Sequence, residues 1–279
     1  MRNRSWSWLL TSVLGLLGVA VLGTGFLLAV VGPRGESTAA VPNQESQPTA
    51  AAVEPNNKQT ANAKPYLIVA LGDSLTKGVG DKEGKGYVGY LKDKLETDKQ
   101  KVAVQNLGIS GLESGELVKS VQNSGIQALI KEARLITISI GGNDLTHSVG
   151  NVQTVLQTGK IDEAKIRQAT AAYTRNLDEI LKVVRAHNPE APVLVVGLYN
   201  PFEGVLDDKG KLDQLITESN ANVAQLVQSY PNVKVVPTFD IFQWNNDRYL
   251  SIDHFHPNES GYERMAERMA QAMPERFLP

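Results

Sequence analysis

The chain contains no cysteine among its 279 residues. Disulfides, cysteine-ligated metals and thiol nucleophiles are therefore excluded. It also lacks a charge excess of either sign: 28 Lys and Arg against 30 Asp and Glu leave a formal net charge of −2. That balance gives no footing for a nucleic-acid partner, which a basic surplus would supply. Histidine is scarce, at four residues, so imidazole chemistry has few candidates. Internal repeats are absent. Length and an ordinary hydrophobic content leave room for one large domain or two small ones.

Two stretches are defined by what is missing from them. From Trp6 to Val31 there is no charged residue. A helix of that length, rising about 1.5 Å per residue, reaches across a hydrocarbon core of about 30 Å. Arg2 and Arg4 precede it; Arg34 follows, and no other Lys or Arg occurs until Lys58. This bias favours an N-terminus inside the cell and the remainder outside. Trp6 and Trp8 suit the interfacial belt. The sequence thus predicts a short cytoplasmic N-terminus (1–5) and a single transmembrane signal-anchor helix (6–31) in the cell membrane. The alternative is secretion after signal-peptide cleavage at Thr38-Ala39-Ala40, although signal-peptide apolar regions run only about 7–15 residues. From Glu36 to Lys64 large apolar side chains are almost missing. Such a segment cannot bury enough surface to offset its ordering entropy, so residues 32–64 read as a flexible tether and 65–279 as the folded domain.

From Pro65 onward, short apolar runs alternate with longer amphipathic ones. Tyr66–Leu71, Val102–Gln105, Leu135–Ile140, Val193–Leu198 and Val233–Val236 read as buried strands. Tyr87–Glu96, Leu112–Gln122, Ile161–Ala186, Leu212–Gln228 and a last segment from Glu259 to Met273 read as helices. In the last, Met265, Met269 and Met273 recur every fourth residue as a core row. This alternation predicts an α/β fold: a three-layer α/β/α sandwich around a mostly parallel five-stranded sheet. In such sheets, sites form at the carboxyl ends of the strands.

The polar motifs fall there. Ser74, in Gly72-Asp73-Ser74-Leu75, follows the first strand at the start of a helix, where its backbone N–H is free for an oxyanion; a plain helix cap is the competing reading. Asn106-Leu107-Gly108-Ile109-Ser110-Gly111 follows the second strand. Its glycines allow close backbone approach, or simply make a turn. Gly141-Gly142-Asn143-Asp144 follows the third. Asn143 offers an amide donor, unless Asp144 merely caps the next segment. Near the end, Asp253 and His256 stand three residues apart on a loop, where acid and imidazole can converge. Against this stands a surface loop with Asn258 capping the next helix. His254 adjoins Asp253 at the wrong spacing, and His147 and His187 read as solvated loop or helix-end residues. With no cysteine, a serine must complete the triad.

Together these four segments resemble the SGNH hydrolases of the GDSL esterase/lipase superfamily, in the branch similar to lysophospholipase L1 and thioesterase I. The resemblance spans roughly Tyr66 to Ala272. It implies a flavodoxin-like sandwich and a serine hydrolase acting on esters or thioesters. Ser74 would be the nucleophile, His256 the general base and then acid, and Asp253 its orienting partner. The oxyanion donors would be the backbone N–H groups of Ser74 and Gly111 plus the Asn143 amide. The choice of Gly111 over Gly108 rests on the family alone. No cofactor or metal is implied. The Gly-x-Ser-x-Gly elbow of the α/β-hydrolases is absent at Ser74. Substrate contacts are expected from Asp81–Gly86, Leu145–Lys160 and Tyr199–Lys211, with Tyr199, Pro201 and Phe202 as an acyl-chain wall or as loop packing. The expected function is a membrane-anchored, extracytoplasmic lipase or lysophospholipase-like esterase. A carbohydrate O-acetyl esterase acting on envelope polysaccharide and a non-enzymatic anchored binding module are the alternatives.

Overall fold

Five runs of β-branched and aliphatic residues form β1 (Tyr66–Gly72), β2 (Val102–Gly108), β3 (Leu135–Ser139), β4 (Val193–Val196) and β5 (Val233–Val236). The computed structural model describes residues 64–150, 155, 158, 160–204 and 210–279. The expected transmembrane helix lies outside the described residues, as does the tether except for Lys64. No helix among the described residues is long and apolar enough to cross a membrane. The strands pair parallel in the order β2-β1-β3-β4-β5.

The helices are α1 (Ser74–Lys77), α2 (Gly86–Leu95), α3 (Ser114–Ser120), α4 (Ser124–Glu132), α5 (Gly142–Val149), α6 (Glu163–His187), α7 (Lys211–Val227), α8 (Phe239–Phe242), α9 (Asn246–Tyr249) and α10 (Glu259–Ala272). Alternate residues of β1 point to opposite faces, as a period of two requires. Ile68 and Ala70 join one core with Leu91 of α2 and Met265 and Met269 of α10. Val69 and Leu71 join the other with Leu117, Ile130, Leu177 and Val223 of α3, α4, α6 and α7. The sheet is thus covered on both sides. The crossover from β1 to β2 runs one way and uses α2; later crossovers run the other way. A constant hand then requires opposite faces, and the helices obey it. The methionine row packs as core: Met265 and Met269 are fully buried, each contributing about 1.5–3 kcal/mol relative to exposure.

Two strands differ from the expectation of full burial. β2 and β5 are sheet edges, and Gln105, Asn106 and Lys234 are exposed. β2 also runs on to Gly108, because β1 extends far enough to keep pairing with it, Gly72 opposite Gly108. Helices α4, α5, α8 and α9 were not expected. Asn123 starts α4 by accepting from the N–H groups of Gly125 and Ile126.

Candidate active site

The strand order reverses between β1 and β3, and there the chain leaves both strands toward opposite neighbours. At such a switch point a crevice opens above the carboxyl ends. Gly72 allows the two strands to meet. It has φ +141°, and a Cβ there would lie 2.0 Å from the Ser139 carbonyl oxygen. Asp73 N–H donates to that same oxygen at 3.0 Å. The Asp73 carboxylate then accepts from Leu75 N–H at 3.1 Å, capping α1, and from Ser139 Oγ at 2.9 Å. Burial pushes the Asp73 pKa from its ordinary 3.8 up to about 7, and the Asp144 charge adds to the rise against these hydrogen bonds. The cap reading is therefore correct for Asp73, and it leaves Ser74 next to it in the first turn. Ser74 N–H has no acceptor among the described residues.

The second and third segments are tied together. Gly108 is a packing residue: its Cβ would lie 2.4 Å from Lys77 N, and its N–H is taken by Asn106 Oδ1 at 3.0 Å. Gly111 has φ +80° with open space around it, and its N–H has no acceptor among the described residues. Asn143 Nδ2 donates one hydrogen to Leu112 O at 2.9 Å, and an amide retains a second. Asp144 caps not its own helix but α3, accepting from Ser114 N–H at 3.0 Å and from Ser114 Oγ. Asn176 Nδ2 donates to the same hydroxyl at 2.9 Å. The loops after β2 and β3 are thus bonded to each other. His147 is exposed and pairs with Glu113; His187 ends α6, with Nδ1 3.0 Å from Val183 O.

The loop before α10 carries the acid and the imidazole. Asn258 caps α10 through Gly261 N–H at 3.0 Å, and Leu250 bridges Pro257, so the intervening residues turn tightly. His256 Nδ1 lies 2.7 Å from Asp253 Oδ2, and His256 Nε2 lies 2.9 Å from Ser74 Oγ. Burial alone would raise the Asp253 pKa. Hydrogen bonds from the His256 ring, from Ser251 Oγ at 2.7 Å and from the N–H groups of His256 and Phe255 outweigh it, holding the carboxyl well below the usual carboxylate range. An ionised carboxylate only accepts, so Nδ1 carries the hydrogen and Nε2 is left to accept from the Ser74 hydroxyl. His254 is exposed, with φ +55°, and its ring makes no hydrogen bond with Ser74.

A cleft runs from Ser74 between the ends of β3 and β4. Its apolar wall includes Ile140, Leu145, Val196, Leu198, Pro201 and Phe255. Tyr199 and Pro201 line it as expected, whereas Phe202 packs beside it, 6.1 Å from the Phe255 ring centroid. Residues 151–154, 156, 157, 159 and 205–209 of the expected substrate loops lie outside the described residues. Three contacts had no reading in the sequence: Asp144 with Ser114, Ser251 with Asp253, and Tyr199 with Phe255. Only Ser251, two residues before its partner, left a local signal.

Such a constellation suits nucleophilic acyl transfer: a serine hydroxyl, a base bonded to it, an ionised acid behind the base, and free N–H donors alongside. Residues 70–264 match the family model of GDSL-like lipases and acylhydrolases. The chain is 34% identical over 209 residues to the spore germination lipase LipC of Bacillus licheniformis, covering 73% of this chain and 94% of that one. It is 33% identical over 225 residues to the Bacillus subtilis protein YpmR, covering 79% and 86%. Among solved structures, the lipase Lip_vut3 from a goat rumen metagenome aligns with a TM-score of 0.67 and 33% identity, covering 76% of this chain and 99% of that one. Fold, motif order and sequence agree: the chain belongs to the GDSL-like lipase/acylhydrolase family of ester-cleaving enzymes.

Proposed function

We propose that the chain hydrolyses carboxylic esters with an apolar acyl part, with Ser74 as nucleophile, His256 as general base and then acid, and Asp253 as the orienting acid. The observation that carries this reading is the unbroken line from Asp253 through His256 to Ser74, at 2.7 and 2.9 Å, opening onto an apolar cleft. In this reading the Ser74 proton passes to Nε2 as Oγ bonds to the ester carbonyl carbon. The carbonyl electron pair moves onto oxygen. The N–H groups of Ser74 and Gly111 and the second Asn143 amide hydrogen receive that oxyanion; losing one such donor costs about 10²–10³ in turnover. The imidazolium then protonates the departing alkoxide oxygen, the C–O bond breaks and the alcohol leaves an acyl-Ser74. Water, giving its proton to Nε2, repeats the sequence, releases the acid and restores the Ser74 hydroxyl. Asp253 stabilises the imidazolium in both halves.

Two observations favour a lipid-type ester over an acetylated sugar. The cleft wall is mostly aliphatic and aromatic, where a polysaccharide would need polar groups. Two of the relatives, Lip_vut3 at 33% identity and LipC at 34%, are lipases by name. We also propose that residues 6–31 anchor the domain outside the cell membrane through the 32–64 tether, near such substrates. A hydrolysis panel tests the chemistry: p-nitrophenyl esters from acetate to long acyl chains, lysophospholipid and an acetylated sugar, with parent and Ser74→Ala. Turnover is expected to rise with acyl length and to fall by about 10⁴-fold or more in Ser74→Ala. A parent that cleaves only the acetylated sugar rejects the lipid reading, and an active Ser74→Ala rejects the mechanism.

A further inference from the structure

The turn that carries the acid and base is bonded mostly to itself. Ser251 N–H donates to His256 O at 2.8 Å and His254 N–H to Ser251 O at 3.0 Å. Asp253 collects Ser251 Oγ and the N–H groups of Phe255 and His256. Ile252, Asp253 and His254 are exposed, so burial does little to fix them. Among the described residues only two hydrogen bonds leave residues 251–256. One is His256 Nε2 with Ser74 Oγ at 2.9 Å; the other is Tyr199 Oη donating to Phe255 O at 2.7 Å.

The far end of that second bond is rigid. Tyr199 follows β4, and Leu198 just before it is gripped by Asn220 of α7. Leu198 N–H donates to Asn220 Oδ1 and Asn220 Nδ2 donates to Leu198 O, both at 2.8 Å. The Tyr199 ring stacks on Phe242 with centroids 4.1 Å apart, and Phe242 is fully buried. Burial also pushes the Tyr199 pKa well above its ordinary value, so the hydroxyl stays a donor. The near end reaches the imidazole through one residue: Phe255 meets the His256 ring edge-on at 5.0 Å.

We infer that Tyr199 is a positioning residue for His256: its hydroxyl is the strut that holds the acid–base turn against the sheet. The strut acts in both halves of the reaction. Acyl-Ser74 has no hydroxyl hydrogen to offer Nε2, and Tyr199–Phe255 is then the one hydrogen bond among the described residues that still leaves the turn. Phenylalanine would fill the same space, but only the hydroxyl makes the bond.

This inference rests on the triad reading above, and its test keeps the two apart. Parent, Tyr199→Phe and Ser74→Ala are compared on short and long p-nitrophenyl esters, with active sites counted by the burst of nitrophenol. Tyr199→Phe is expected to lower kcat per active site roughly tenfold to a hundredfold, the cost of a misplaced catalytic group. KM should stay within about twofold, and the fluorophosphonate labelling rate of Ser74 should fall in parallel. Parental kcat per active site overturns the inference. So does a loss confined to KM, which would make Tyr199 a cleft wall only, or one explained by fewer active sites, which would make it a folding residue. If Tyr199→Phe does not fold, Phe242→Leu, which frees the ring but keeps the hydroxyl, is read the same way: lowered kcat at parental KM supports the strut and parental kcat overturns it. An inactive Ser74→Ala beside a parental Tyr199→Phe rejects the strut alone; an active Ser74→Ala rejects the triad itself.

Discussion

Two aspartates near Ser74 are driven in opposite directions by their surroundings. Asp253, partly exposed and ringed by donors, is held ionised. Asp73, buried at the end of β1, is pushed up to about 7. The folded chain therefore keeps the Asp73 proton up to about pH 7, whereas the unfolded chain releases it near 3.8. Between those values the folded state binds more protons. Raising the pH from about 4 to about 7 therefore lowers stability through this group, and above 7 that loss is complete. Asp73→Asn cannot ionise yet keeps an oxygen for the α1 cap, so it removes that slope. Urea unfolding at pH 5 and pH 8 should show the variant gaining on the parent as pH rises. An equal difference at both pH values contradicts the assignment. The two candidate histidines separate by geometry: in the turn, His256 bonds to both Asp253 and Ser74, while His254 adopts a left-handed backbone, is exposed and shares neither bond.

At the scale of elements, the periodicity of apolar residues located all five strands and five of the helices to within a few residues. Those signals are local, since burial on one or both faces is written into alternate or every third and fourth positions. What stayed hidden was set by contacts far apart in sequence. The diglycine after β3 signals a turn, yet α5 begins within it at Gly142, and Asp144 in its first turn caps α3 from 30 residues away. β2 opens on the apolar run Val102–Val104 as a central strand would, and only the sheet order makes it an edge. In the candidate site, Ser74, Asp253 and His256 could be singled out because their residue types and spacing are chemical requirements. Gly111 could not be separated from Gly108 without coordinates. The distinction lies in which N–H is already taken and which glycine has a backbone atom 2.4 Å from its missing Cβ. Tyr199 sits 56 residues from its partner, and an aromatic after a strand reads equally as wall, packing or strut.

For the molecule as a whole, strand order explains why the catalytic candidates meet. β1 and β3 are sheet neighbours whose following loops diverge, and the last loop before α10 closes over the crevice between them. The anchor proposed for residues 6–31 lies outside the described residues and is tested apart from the site. Full-length chain should resist extraction from membranes by high salt. Recovery of a soluble form starting near Val41 contradicts the anchor. The most direct test of the central claim is fluorophosphonate labelling of the folded parent, His256→Ala and His254→Ala, with the adduct located by peptide mass. The account predicts a single adduct on Ser74, formed at near-parental rate in His254→Ala and lost or greatly slowed in His256→Ala. A folded parent unlabelled at Ser74, or labelling that survives His256→Ala but not His254→Ala, contradicts it.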